Sequence, residues 1–125
     1  MKESLNLKIK RGDIWIADLG TNTIGSEQGK IRPVLVVQNN AGNNYSPTVT
    51  IVPLTSRKKK KLPTHVEIDD LYLPKPSIAL AEQITTIDKS KLRKYIGEIN
   101  SDIMNKIDYA IAIQMNLTNK LKVTA

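Results

Sequence analysis

Short apolar runs broken by polar turns make up most of this chain, a rhythm that predicts strands, and only one stretch near its end has helical spacing. Arg11-Gly12-Asp13 reads as a turn. Ile14 to Leu19 follows as a first strand, so apolar that burial on both faces is expected. Gly20 to Lys30 is a long polar loop with three glycines, the kind of connection that often carries function. Pro33 opens a second strand, Val34 to Gln38, where its missing N–H is tolerated. Asn39 to Asn44 is a turn cluster and Val49 to Leu54 a third strand. Val66 and Ile68 alternate with His65 and Glu67, giving a half-buried fourth strand. After the proline-punctuated connector Leu73 to Pro76, Ser77 to Ile84 is expected to be a fifth strand, Ile87 to Leu92 a single helical turn and Ile96 to Ile99 a last short strand.

The stretch from Asp102 to Leu117 puts Ile103, Ile107, Ala110, Ile111 and Leu117 on one stripe, which predicts an amphipathic helix. Ser101 is its expected N-cap, with Asp102 favourably placed in the first turn. Gln114 interrupts the stripe and should seek a hydrogen-bond partner. Residues 1–10 read equally as a disordered extension or, through Leu5, Leu7 and Ile9, as a weak edge strand. The basic tail beyond Asn119 is expected to fray. The expected fold class is mainly β (β-rich α+β): one domain, a small barrel or curled sheet of antiparallel strands with a C-terminal α-helix packed on it.

Composition narrows the partners. A chain of 125 residues can bury a core without disulfides or metal. The absence of cysteine excludes a disulfide framework and any thiolate metal site, and is compatible with a reducing cytoplasm. Neither a membrane span nor a secretory leader is expected from the pattern. A net charge of +7 favours a polyanionic partner, and without a basic amphipathic helix nucleic acid fits better than a membrane. With one Trp, four Tyr and no Phe, a broad base-stacking platform is not expected. Trp15 and Tyr45 are the aromatic candidates for base contacts, and Trp15 reads more readily as core.

Several chemistries are missing. The lone histidine, His65, cannot supply a two-histidine acid–base pair, and no metal-ligand spacing, phosphate-binding glycine loop or nucleophile elbow is present. No metal or cofactor is expected. What remains are two segments, Gly25 to Val37 (GSEQGKIRPVLVV) and Val52-Pro53-Leu54-Thr55, the second followed by the cations Arg57 to Lys61. They offer a carboxylate, a guanidinium, a hydroxyl and a basic surface. Metal-free RNA cleavage, in which the ribose 2′-hydroxyl attacks its own phosphate, needs groups of that kind: Arg32 to clamp phosphoryl charge, Thr55 to add a hydroxyl donor and Glu27 to take the 2′-proton. Each has a plainer reading beside it. Arg32 could be a surface ion pair, Thr55 a turn cap, Glu27, Gln28 and Arg57 to Lys61 solvated loop, and His65 a strand-closing residue or one bonded to a backbone carbonyl.

Taken in order, Arg11-Gly12-Asp13-Ile14-Trp15, GSEQGKIRPVLVVQN, the Pro-Leu-Thr strand end, LPTHVEI, LAEQITTID and the terminal helix resemble the MazF/PemK toxin endoribonucleases from about Arg11 to about Leu117. The resemblance implies a toxin domain over 11–120 with an SH3-like barrel, acting in the cytoplasm as a homodimer. It implies a sequence-specific endoribonuclease for single-stranded RNA, cutting without metal to 2′,3′-cyclic phosphate and 5′-hydroxyl ends, at a U-A-C-A-U-like site. On this sequence it places catalysis on Arg32, Thr55 and Glu27, and substrate contacts on Gln28, Lys30, Ser56, Arg57, Lys58, Lys59, Lys60, Lys61 and Gln83. Arginine is a poor general base, so Arg32 serves mainly as a clamp, with proton donation to the leaving oxygen as a further role. The implied partner is a cognate MazE-like antitoxin whose acidic segment fills the groove, with DNA bound only through that complex. Two other classes compete: a same-fold toxin that binds a protein target such as gyrase, and a non-catalytic nucleic-acid-binding barrel.

Overall fold

The computed structural model describes residues 8–20, 30–57, 60–69, 73 and 75–121. Its elements run β1 (Asp13–Asp18), β2 (Ile31–Val36), α1 (Asn40–Tyr45), β3 (Thr48–Thr55), β4 (His65–Ile68), β5 (Ser77–Leu80), a 3-10 turn (Ala81–Gln83), β6 (Thr85–Asp88), a second 3-10 turn (Lys89–Lys91), β7 (Leu92–Glu98), α2 (Ser101–Gln114) and α3 (Thr118–Leu121). The strands pair antiparallel in the order β4-β5-β3-β2-β1-β7, with β6 joined to the first half of β3. The sheet curls but does not close among the described residues, so the expected barrel is an open one.

Alternation along β1 explains how the curl is filled. Ile14 joins Leu35, Val52, Leu54, Val66, Ile68 and Ala79 on the face covered by Ile107 and Ala110 of α2. Trp15 and Ala17 turn to the other face, with Val34, Val36, Val49, Ile51, Ile87 and Leu92. The expectation that the first strand is buried on both faces is therefore met, and Trp15, fully buried and edge-on to Tyr95, is core. Tyr45 is exposed at the end of α1.

Several boundaries differ from the sequence reading, each for a local reason. β2 starts at Ile31, ahead of Pro33. The proline lies one residue before the ladder to β3 begins, so its missing N–H breaks no bond of that ladder. The Asn39–Asn44 cluster is not a plain turn: Asn39 caps a short helix by accepting from the Gly42 N–H at 2.8 Å. The expected fifth strand ends at Leu80 and becomes a 3-10 turn. The expected helical turn at Ile87–Leu92 is the end of β6, a 3-10 turn capped by Asp88, and the start of β7, which is longer than the Ile96–Ile99 strand expected. The cap of α2 is Asn100, whose Oδ1 accepts from the Ile103 N–H at 2.9 Å, and Ser101 is the first helical residue. Gln114 is exposed at the helix end, so it needs no partner from the protein. Ile103, Ile107, Ala110 and Ile111 do face the core.

Asp13 is a buried carboxyl at the start of β1. Its Oδ2 accepts from the Lys10 N–H at 2.8 Å and the Trp15 indole at 3.4 Å, while Oδ1 is buried without a partner. Burial raises its pKa above the ordinary 3.8, and those two hydrogen bonds only partly offset this. The folded chain thus binds this proton more tightly than the unfolded chain. The stabilisation is complete below the ordinary value and is lost as pH rises through the folded value. Asp13→Asn removes that dependence. Chemical denaturation from about pH 4 to pH 7 is expected to show the variant gaining on the wild type as pH rises. A difference constant over that range would show that Asp13 titrates normally.

Candidate active site

The start of β2 and the end of β3 carry the sequence-predicted chemistry, and both strand ends border one cleft. Val34 pairs Pro53, Leu35 pairs Val52 and Val36 pairs Ile51. Beyond Val34 and Pro53 the strands take other partners: Arg32 pairs Ala17 of β1, and Leu54 and Thr55 pair Ala79 and Ile78 of β5. Directly opposed residues of an antiparallel pair share a face. Ile78 in turn pairs Glu67 of β4. One row thus runs Thr55, Ile78, Glu67 across three strands.

Two adjoining clefts open at this end of the sheet. A cleft of about 330 Å³ is lined by Arg32, Ile31, Pro33, Ser56, Lys75 and Ser77, among others. A second, of about 460 Å³, is lined by Arg57, Glu67 and Asp69 and shares Ser56 and Ser77 with the first. Arg32 is half-buried. Burial, and secondarily the like charge of Arg57, lower its pKa below the ordinary arginine range. A guanidinium remains ionised at neutral pH even so. The two arginines make this end of the sheet cationic. Thr55 is only 2 % exposed, and its Oγ1 accepts from the Arg57 N–H at 3.2 Å. The turn-cap reading of Thr55 therefore holds, and it is compatible with chemistry, because the hydroxyl keeps its own proton to donate.

Lys30 stands at the neck of the Gly20–Lys30 loop. Its N–H donates to Gly20 O and its carbonyl accepts from Leu19 N–H, and its backbone is left-handed at φ 63°. That conformation costs a non-glycine residue on the order of 1 kcal/mol, so the loop's closing pair is held against a local preference. Arg57, Lys60 and Lys61 are exposed. Glu27, Gln28, Lys58 and Lys59 lie outside the described residues, as does most of the 1–10 segment. Gln83 sits, half-buried, on the 3-10 turn after β5 and lines neither cleft.

His65 stands at an end of β4, as the strand-end reading has it. Its Nε2 meets Glu82 Oε2 at 2.8 Å, a carboxylate and not a backbone carbonyl, and Thr64 Oγ1 donates to the other Glu82 oxygen at 2.8 Å. Burial alone would raise the Glu82 pKa, but these two hydrogen bonds together hold it below its ordinary value. They fasten the Ala81–Gln83 turn to the start of β4. Glu67, Asp69, Lys75 and Ser77 went unnoticed as site residues in the sequence. For Glu67 the signal was there, since its alternation with Val66 and Ile68 turns it outward. Among the described residues no group of three or more His, Asp or Glu side chains is placed to hold a metal ion.

Residues 10–115 match the family described as PemK-like, MazF-like toxin of type II toxin-antitoxin system, and the chain belongs to that family. It is 46% identical over 112 residues to Endoribonuclease EndoA of Bacillus subtilis, covering 87% of this chain and 96% of the relative. A mycobacterial endoribonuclease solved in complex with its cognate antitoxin superposes with a TM-score of 0.74 at 32% identity, over 87% of this chain and 96% of that one. MazF from Deinococcus radiodurans shares the fold with a TM-score of 0.77 at 23% identity, over 89% and 99% of the two chains.

Proposed function

We propose that this chain is an endoribonuclease toxin that cuts single-stranded RNA at defined sequences without a metal ion and is held inactive by a cognate antitoxin. What supports the reading is Arg32 at the rim of a cleft that also holds Lys75 and Ser56, in a chain 46% identical to an endoribonuclease. The same identity favours it over a gyrase-binding toxin or a passive barrel.

In the reaction, the 2′-oxygen forms a bond to its own phosphorus while the bond to the 5′-oxygen breaks. The 2′-proton goes to a base, for which Glu27 is the candidate, and a proton is delivered to the departing 5′-oxygen. The products are a 2′,3′-cyclic phosphate and a 5′-hydroxyl. Charge gathers on the non-bridging oxygens at the transition state. Arg32 meets it with two N–H donors in a fixed fork, and the Thr55 hydroxyl adds a third donor. Proton donation to the departing 5′-oxygen is a further role for Arg32. Replacing the ribose at the cut with 2′-deoxyribose is expected to abolish cleavage, because the nucleophile is gone. Continued cleavage of that substrate would rule this chemistry out.

Arg57 and Lys58 to Lys61 follow the phosphate backbone beyond the cut, with Gln28, Lys30, Ser56 and Gln83 adding polar interactions. Neutralising Lys58 to Lys61 is expected to flatten the salt dependence of RNA binding by roughly 0.7 in log–log slope for each phosphate no longer neutralised. An unchanged slope would make the run a solvated loop. The antitoxin would present an acidic extended segment to the same surface, and the working form is a homodimer. DNA is reached only through the antitoxin complex.

A further inference from the structure

The strand that carries Arg32 begins at a neck organised by Asp18, a side chain with no part in the cleavage chemistry above. Asp18 ends β1 and pairs Ile31, while its neighbour Ala17 pairs Arg32. Its Oδ1 accepts from the Gly20 N–H at 2.9 Å. Gly20 O in turn accepts from the Lys30 N–H, and Lys30 O from the Leu19 N–H at 2.9 Å. Gly20 and Lys30 are both left-handed, at φ 79° and 63°. Lys30 has a side chain, so the neck keeps it in that conformation against its own preference. The second oxygen of Asp18, Oδ2, accepts from Arg93 Nη2 at 3.2 Å. Arg93 reaches it because β7 is irregular there: Ile16 pairs Lys94 and Ala17 pairs Leu92, so the ladder skips Arg93. An extra residue in a strand re-aims its side chain, and this one sends a guanidinium to the end of β1.

Stability does not account for this arrangement. Asp18 and Arg93 are 36% and 49% exposed, and ion pairs in that setting add little to folding. The consequence lies just across the ladder. Ile31 and Arg32 both line the first cleft, and a guanidinium can meet a phosphate at a set angle only if the backbone beneath it is fixed. We propose that Asp18, held by the bulged Arg93, is a positioning residue for RNA cleavage, setting the Lys30–Arg32 backbone from which Arg32 clamps the phosphate. This rests on the ribonuclease reading above. The Gly20 hydrogen bond, and after it the hydrogen bond and charge of Arg93, outweigh desolvation and hold the Asp18 pKa below the ordinary 3.8, so the group is an anion at neutral pH. An anion repels the phosphate chain, so Asp18 acts through the backbone and not by touching RNA.

The test is single-turnover cleavage of one single-stranded RNA with the protein in excess. Wild type, Asp18→Ala, Asp18→Asn and Arg93→Gln are compared, together with Arg32→Ala alone and combined with Asp18→Ala. Asp18→Ala is expected to lower the saturated rate by roughly ten- to a hundredfold, with the half-saturating concentration and the melting temperature little changed. Asp18→Asn keeps an acceptor for Gly20 and loses only the ion pair, so it should match Arg93→Gln at a smaller loss. In the Arg32→Ala background, Asp18→Ala should cost little or nothing further, because the clamp it aims is already gone. An equal loss in both backgrounds would overturn the proposal and make Asp18 a general structural residue. Full activity of Asp18→Ala would also overturn it. So would an Arg93→Gln variant that binds RNA more weakly at an unchanged saturated rate, which would give Arg93 to the phosphate backbone. Should Asp18→Ala fail to fold, clearly unequal losses in Asp18→Asn and Arg93→Gln would overturn it instead. In all these cases the wild type still cuts and the ribonuclease reading stands, whereas a wild type that cuts no RNA fails both.

Discussion

Arg32→Ala is expected to lower the cleavage rate by a factor of about 10³ or more while the protein still folds, since removal of a fixed oxyanion donor alone costs about 10² to 10³. The guanidinium lies at the rim of a cleft, and Arg32 belongs to neither apolar cluster, so its loss leaves the two faces of the sheet packed. Burial and the charge of Arg57 both oppose its ionisation. Arg32→Lys keeps a charge but not the fork, and should remain at least about tenfold below wild type. An Arg32→Ala variant that cuts at the wild-type rate would remove Arg32 from the chemistry.

Thr55→Val is expected to cost about 10²-fold in rate, with Thr55→Ser close to wild type. Two contributions disappear together in the valine variant. One is the hydroxyl proton offered to a phosphoryl oxygen. The other is the acceptor for the Arg57 N–H at 3.2 Å, which shapes the turn carrying Ser56 and Arg57. Because Thr55 is 2 % exposed and valine matches its shape, the loss would reside in the hydroxyl and not in packing. The unpaired Arg57 N–H should cost about 1 kcal/mol of stability at most, since the exposed turn can turn it to water. Equal activity of Thr55→Val and wild type, measured on the same RNA, would reduce Thr55 to a turn cap.

Much of this was legible in the sequence, because short apolar runs with period two leave few alternatives once they are buried on both faces. β1, β3, β4 and α2 appeared close to where they lie, and Arg32 and Thr55 stood out as polar residues at strand ends. What the sequence concealed depended on tertiary context. The Lys89–Lys91 turn hides between two strands because Asp88, a single capping side chain, decides it. Asn100 and Ser101 are both good caps, and only the chain's path out of β7 selects the first. The meeting of Arg32 with the end of β3 at one cleft needed β2 to pair β3, and Glu67 joined the row of Thr55 only through β5. His65 found a carboxylate because the Ala81–Gln83 turn folds back against β4, bringing together segments far apart in sequence.

The most direct test of the central claim is incubation of the purified protein with a long single-stranded RNA in excess EDTA, beside Arg32→Ala, with the chemistry of the new ends mapped. Discrete cuts bearing 5′-hydroxyl and 2′,3′-cyclic phosphate ends, absent in the variant, are expected. Cuts that appear only when a divalent ion is restored, or that persist undiminished in Arg32→Ala, would contradict a metal-free cleavage centred on Arg32.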